Sequence, residues 1–163
     1  MNWKNKKVII TGGSSGIGAH LVSLFKEKEA NIVFVGLEED RVKKIAEREN
    51  IKGITADLTK EEELTNFFKT AINYLGGLDV LVNNAGYVIA KPFEELSRSD
   101  FEKMFAINTI APARLAQLAL PYFRENKKGD IVNIGATGAY YAFDNGTAYS
   151  ASKAALSIVS KNL

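Results

Sequence analysis

The sequence has no cysteine, a single histidine, a single tryptophan and only three prolines among 163 residues. Lacking thiols, it can form neither a disulfide framework nor a thiolate metal site, which fits a reducing compartment. His20 has no second imidazole to join it, so no metal centre is expected. Neither sign of charge predominates: 21 lysines and arginines face 19 aspartates and glutamates, and the net +2 makes no basic footprint for nucleic acid. Long apolar runs are missing too. Nothing approaches the ~18 residues of a membrane-spanning helix, and the apolar run after the basic opening MNWKNKK is too short for a signal segment. These absences lead to the expectation of a cytoplasmic protein with neither nucleic acid nor membrane as a partner.

What is present is an ordinary globular composition, 46% hydrophobic and 25% charged, in a length that suits one domain over 1–163. Short apolar runs alternate with amphipathic stretches. Strands are predicted at 7–11, 31–36, 51–56 and 129–135, with a further one opening at 78 and turning polar by 86. Helices are predicted at 16–29, 39–50, 59–76 and 97–126, and from Thr147 onward. The helix at 59–76 should open on a Thr59 cap, with Glu61, Glu62 and Glu63 in a first turn that suits the helix dipole. Strands that are apolar almost throughout, alternating with helices, predict an α/β fold. Its parallel sheet would have helices on both faces and right-handed crossovers. In such sheets ligands bind beyond the carboxyl ends of the strands, where strand order reverses.

The chemistry-bearing residues fall at those positions. TGGSSGIG (11–18) directly follows the first strand and opens the first helix. Gly12, Gly16 and Gly18 would there allow a tight turn, a close approach of phosphate to backbone N–H groups, and close packing of helix on sheet. In the last helix, Tyr149 and Lys153 stand one turn apart on one face. A cation beside a phenol favours the phenolate, so the pair can move a proton nearer to neutral pH than a free tyrosine, which ionises near ~10. The alternative is a tyrosine that packs and a lysine that is solvated.

With its T-G-x-x-x-G-x-G turn, ADL at 56–58, NNAG at 83–86, Asn108 in INTIAP, and Y-x-x-x-K at 149–153, the sequence resembles the short-chain dehydrogenase/reductase family over almost all its length. The resemblance implies a Rossmann-like, doubly wound sheet of strand order 3-2-1-4-5 with the family's later strands missing. It also implies an oxidoreductase that transfers a hydride between NAD or NADP and a carbonyl compound or secondary alcohol. Tyr149 would be the general acid or base, Lys153 would lower its pKa and hold the nicotinamide ribose, and Asn108 would support a proton relay. Cofactor contacts would come from Gly12, Ser14, Ser15, Gly16, Ile17 and Gly18, from Asp57 and Leu58, from Asn84, Ala85 and Gly86, and from Tyr149 and Lys153. Glu38, and the absence of a cation in the residues 36–38 and 14–15, tip the cofactor towards NAD, with NADP as the alternative.

Two features depart from the family pattern. A serine usually stands about thirteen residues before the tyrosine and polarises the substrate carbonyl. Here that position is Ala136, and the nearest short hydroxyl, Thr137, should point to the other face unless a bulge intervenes. Family members also run to roughly 250 residues, so the chain has the length of a C-terminally truncated member. The fifth strand, with Ile131, Val132 and Ile134, would then be an open edge. A homo-oligomer, dimer or tetramer, is expected through the helices at about 97–126 and 148–163. These departures keep a second function open, that of a non-catalytic nucleotide-binding or interaction protein.

Overall fold

The computed structural model describes residues 2–163. Five parallel strands form one sheet, β1 (Lys7–Thr11), β2 (Asn31–Gly36), β3 (Lys52–Thr55), β4 (Val80–Asn83) and β5 (Asp130–Asn133), in the order β3-β2-β1-β4-β5. Six α-helices alternate with them: α1 (Gly16–Glu27), α2 (Glu39–Glu49), α3 (Glu61–Leu75), α4 (Arg98–Phe105), α5 (Ala111–Glu125) and α6 (Thr147–Lys161).

Successive side chains of a strand point to opposite faces, and here both faces are apolar. Val8, Ile10, Phe34 and Val82 pack with Val22 of α1 and Val42 and Ile45 of α2. Ile9, Val33, Val35 and Leu81 pack on the other side with Phe67 and Phe68 of α3 and Leu115 of α5. Covering both faces is what turns the strand sequences into near-continuous apolar runs. The central strand β1 pairs with β2 on one side and β4 on the other, so the connections leaving β1 and β4 run to opposite faces. That divergence opens a crevice above the carboxyl ends of these two strands.

Three local features differ from the sequence expectation. Thr59 does not cap α3: Lys60 holds that position without a side-chain bond. Thr59 instead donates its N–H and its hydroxyl to Asp57 Oδ1, at 3.0 and 2.7 Å. A charged acceptor makes the stronger bond and draws the hydroxyl away from the helix. The helix expected over 97–126 starts from a reciprocal Ser97–Asp100 capping box and is interrupted by a π-helical turn at Ala106–Ile110, where the Ala111 N–H reaches back to Ala106 O. Pro112 has no N–H to offer Asn108, its partner in a regular α-helix, which accounts for the widened turn. The strand opening at 78 pairs only over Val80–Asn83; residues 84–86 leave the sheet as loop.

Among the described residues β5 pairs only with β4, and Val132 is 42% exposed on that edge strand, whereas Leu81 of β4, in register with Ile131, is fully buried. Leu81→Ala should therefore cost about 3 kcal/mol in urea unfolding, with Val132→Ala costing under about 1 kcal/mol. Equal losses at the two positions would mean that the β5 face is covered in solution.

Candidate active site

The crevice is shaped first by a junction between β1 and the loop after β4. Thr11 Oγ1 accepts from the backbone N–H groups of Asn84 and Ala85, at 3.0 and 2.9 Å. Asn84 Nδ2 donates in return to Thr11 O at 2.9 Å and Gly12 O at 3.3 Å. Gly12 turns the chain at φ +66°, and a Cβ there would lie 2.9 Å from both Ala85 Cα and Asn84 Nδ2. A Cβ at Gly18 would lie 2.0 Å from Gly12 O, so α1 can seat against the turn only with glycine at that position. Gly16 also has positive φ, +51°, but faces open space. The first turn of α1 carries no acid, and its N-cap Ser15 makes no side-chain cap bond. Its N–H groups are thus available to an anion.

Above this turn lies a cleft of about 440 Å³. Of the residues singled out in the sequence, Gly12, Ser14, Ser15, Asp57, Leu58, Ala85 and Gly86 line it. Asn84 is the bracket behind it, Gly18 seats α1, and Ile17 is 63% exposed on the first turn of α1. Burial works to raise the Asp57 pKa, but the two Thr59 bonds and the nearby Lys60 outweigh it and hold the carboxyl below its usual range. The cleft also has walls that the sequence reading did not assign: Arg41, Tyr87, Lys103 and Ile107. Arg41 is a cation at the cleft that lies outside the residues 36–38 and 14–15 weighed for the cofactor. It lies one helical turn on and pairs with Glu38 Oε2 at 2.9 Å, a spacing visible in the sequence.

Tyr149 and Lys153 both sit on α6. Tyr149 is half-buried in its first turn, and its ring meets Phe143 edge-on at 6.3 Å between centroids. Lys153 is 5% exposed and donates to Ile134 O at 2.8 Å. No carboxylate pairs with it among the described residues, and burial lowers its pKa. A Cβ at Gly86 would stand 3.7 Å from Lys153 Nζ. The wall of the cleft and the lysine are therefore direct neighbours.

Asn108 is fully buried, and its side chain is committed to holding other groups. Oδ1 accepts from Tyr87 N–H at 2.9 Å, while Nδ2 donates to Tyr87 O at 2.8 Å and Ser152 Oγ at 2.9 Å. It links the loop after β4 to the helix that bears Tyr149. Ala136 is extended and leads into a short 3₁₀ turn at Thr137–Ala139. Thr137 is exposed, and the Tyr140 hydroxyl is engaged with Ser157 Oγ at 2.9 Å. The ladder runs in step through Asn133, and Ile134 N–H still reaches Asn83 O, so no bulge intervenes up to that point.

The family model described as short chain dehydrogenase matches residues 6–163. The chain belongs to the short-chain dehydrogenase family. It is 29% identical over 162 residues to an uncharacterized oxidoreductase of Staphylococcus aureus strain MRSA252, covering 98% of this chain and 70% of that protein. It is 28% identical to one of Staphylococcus epidermidis, with the same coverage. A short-chain dehydrogenase from Streptomyces avermitilis superposes with a TM-score of 0.92 at 29% identity, over 99% of this chain and 60% of its own. A double mutant of a Serratia marcescens short-chain dehydrogenase/reductase gives 0.87 at 30% identity, over 96% and 66%. The chain thus spans less than two thirds of the length of these two structures. Short-chain dehydrogenases are oxidoreductases that generally use NAD(P), and the sheet order here is the one the resemblance implied.

In this dehydrogenase fold the buried Lys153 destabilises the folded state while it is charged. Its folded pKa lies below the unfolded value near ~10.4, so between the two the unfolded chain holds the extra proton and stability rises with pH. Lys153→Met should therefore be more stable than wild type at pH 7, and the gap should narrow as pH climbs towards that unfolded value. Thermal unfolding at stepped pH measures it; a gap independent of pH would contradict the assignment.

Proposed function

We propose that the chain is the catalytic and cofactor-binding part of an NAD(P)-dependent oxidoreductase acting on a carbonyl compound or secondary alcohol. The observation that carries this reading is the nearness of Gly86, on the wall of the cleft, to the Lys153 ammonium, 3.7 Å from where a Gly86 Cβ would stand. Lys153 itself lines a smaller cavity with Ala136 and Tyr140, so the helix bearing Tyr149 adjoins the cleft without lining it. The residues fit the cofactor: Gly16 leaves open space where a side chain would intrude, the α1 N-terminus is uncapped, and Lys153 is a buried cation with only a carbonyl for company. When bound, the nicotinamide supplies or accepts the hydride.

The protein's own residues handle the proton. The Tyr149 hydroxyl would give its proton to a carbonyl oxygen in reduction, with the Lys153 cation one helical turn along on the same helix. In oxidation the same oxygen takes the proton from the alcohol. Asn108 holds Ser152 and the Tyr87 backbone, and so fixes α6 relative to the cleft. Ala136 offers no hydroxyl to share the polarisation of the carbonyl, which in comparable sites is worth ~10²- to 10³-fold in rate. That absence favours a second reading, a nucleotide-binding or interaction protein without turnover.

For the cofactor we infer NAD ahead of NADP. The Glu38 carboxylate at the cleft can accept from ribose hydroxyls, and it occupies Arg41, the cation one helical turn away that would otherwise be free for a 2′-phosphate, with Lys103 the other cation lining the cleft. No helix among the described residues is long and apolar enough to cross a membrane, and a reducing cytoplasm suits a chain without cysteine.

Titration with NADH and NADPH, followed by turnover of a panel of ketones and secondary alcohols, tests both readings. NADH should bind, Tyr149→Phe should keep binding and lose turnover, and Ala136→Ser should raise the rate. Glu38→Gln should free Arg41 and move preference towards NADPH. Binding without any turnover would leave the non-catalytic reading, and absence of binding to a folded chain would remove every nucleotide-binding reading and leave only that of an interaction protein. We also propose a homo-oligomer formed through α4–α5 and α6, where Ile110 and Ile158 are 62% and 58% exposed. Light scattering should give a mass at least double 17.9 kDa, and a monodisperse monomer would refute it.

A further inference from the structure

The loop between β4 and α4 is fastened at two points. At Tyr87 the fastening is Asn108, described above. The second point is Lys91, which is held from both ends. Its backbone N–H donates to Asn145 O at 3.1 Å. Its Nζ donates to Asp100 Oδ2, also at 3.1 Å, and Asp100 is 7% exposed. The same carboxylate oxygen accepts from the Ser97 N–H and hydroxyl, each at 2.9 Å, and closes the capping box of α4. With the Ser97 backbone bond first, then Lys91 and the Ser97 hydroxyl, the Asp100 pKa is held down to about 2, so the carboxylate stays charged at any working pH.

Asn145 lies at the turn ahead of α6. It has φ +60°, in the left-handed region that asparagine enters more readily than most non-glycine residues. Gly146, the next residue, is the N-cap of α6, and its carbonyl accepts the Ser150 N–H at 2.8 Å. The orientation of the Asn145–Gly146 peptide therefore sets where the first turn of α6 begins. Tyr149 lies in that turn.

We propose that Lys91 and Asp100 form a clasp between α4 and α6 that positions Tyr149 for proton transfer, acting through the Asn145 turn without touching the substrate. The inference rests on the proposed role of Tyr149. Lys91 is the hinge pin of the arrangement: its side chain is anchored in the α4 cap while its backbone anchors the turn ahead of α6. Loosening the side chain lets the 91–145 bond lengthen, and the phenol then drifts relative to Lys153, whose own anchor at Ile134 is independent.

The test compares wild type with Lys91→Met, Lys91→Arg and Asp100→Asn, and with Arg98→Ala, which removes an exposed Arg98–Glu102 pair from the same helix. Lys91→Met leaves the Ser97–Asp100 cap in place, so it probes the clasp even if Asp100→Asn unfolds α4. Amide exchange over residues 145–150 and steady-state kinetics with NADH are both read. Lys91→Met should speed exchange there and lower kcat, each by about ten-fold or more, with the KM for cofactor within about two-fold. Lys91→Arg should restore both, and Arg98→Ala should change neither. Either readout unchanged in Lys91→Met overturns the proposal. If the wild type turns over nothing, the proposed function falls separately and exchange alone decides: faster exchange in Lys91→Met supports the clasp, and unchanged exchange refutes it.

Discussion

Everything at the site depends on the reciprocal bonds between Thr11 and Asn84. One short side chain accepts two backbone N–H groups from the loop after β4, and the asparagine amide answers with two carbonyls of the glycine turn. Strand pairing alone brings β1 and β4 to the same place but says nothing about how their loops depart. The junction fixes that departure. Gly12 can then turn against Ala85 with no atom to spare, α1 points its uncapped N-terminus into the crevice, and Gly86 arrives beside Lys153.

The remaining order radiates from this point. Asn108 bonds both backbone groups of Tyr87 and the Ser152 hydroxyl, so one buried amide joins the loop, the π-helical turn and α6. Asn83 Nδ2 donates to Asn133 Oδ1 at 2.8 Å, and Asn133 Nδ2 to Ser160 Oγ at 2.7 Å, which carries the chain of bonds across the end of the sheet to the far end of α6. Among the described residues Lys153 lies inside this frame as a charge with no carboxylate partner. A buried cation costs stability, and it persists here because the frame over-determines its position. Such local conflict with folding is where chemistry is usually found.

The strands and the places of Tyr149 and Lys153 on one helix were legible because each rests on a local signal, whereas the sheet order was implied by the family resemblance. The apolar runs at Lys7–Thr11 and Asn31–Gly36 have one period, and glycine spacing and the Tyr–Lys interval are read directly from the chain. What escaped depends on competition between groups far apart or of unequal strength. Thr59 has the chemistry of a cap, yet its hydroxyl turns to donate to the Asp57 carboxylate. Arg41 is one turn from Glu38 but faces the cleft only because α2 packs with Val42 and Ile45 inward. The π turn follows from Pro112, a signal present in the sequence, though its effect appears four residues earlier. The Lys91–Asn145 bond joins two loops with no pattern in common, and no period could have shown it.

The central claim is that the Thr11–Asn84 junction builds a dinucleotide site that reaches Lys153. It is tested most directly by following backbone amide shifts during addition of NADH to wild type and to Thr11→Val, which keeps the side chain's shape and removes the shared acceptor. The account predicts shifts in wild type confined to residues 12–18, 35–41, 56–59, 84–87, 103–107 and 149–153, and a folded Thr11→Val chain in which those shifts need far more NADH or vanish. Shifts elsewhere in wild type, or an unaltered titration in Thr11→Val, would contradict it.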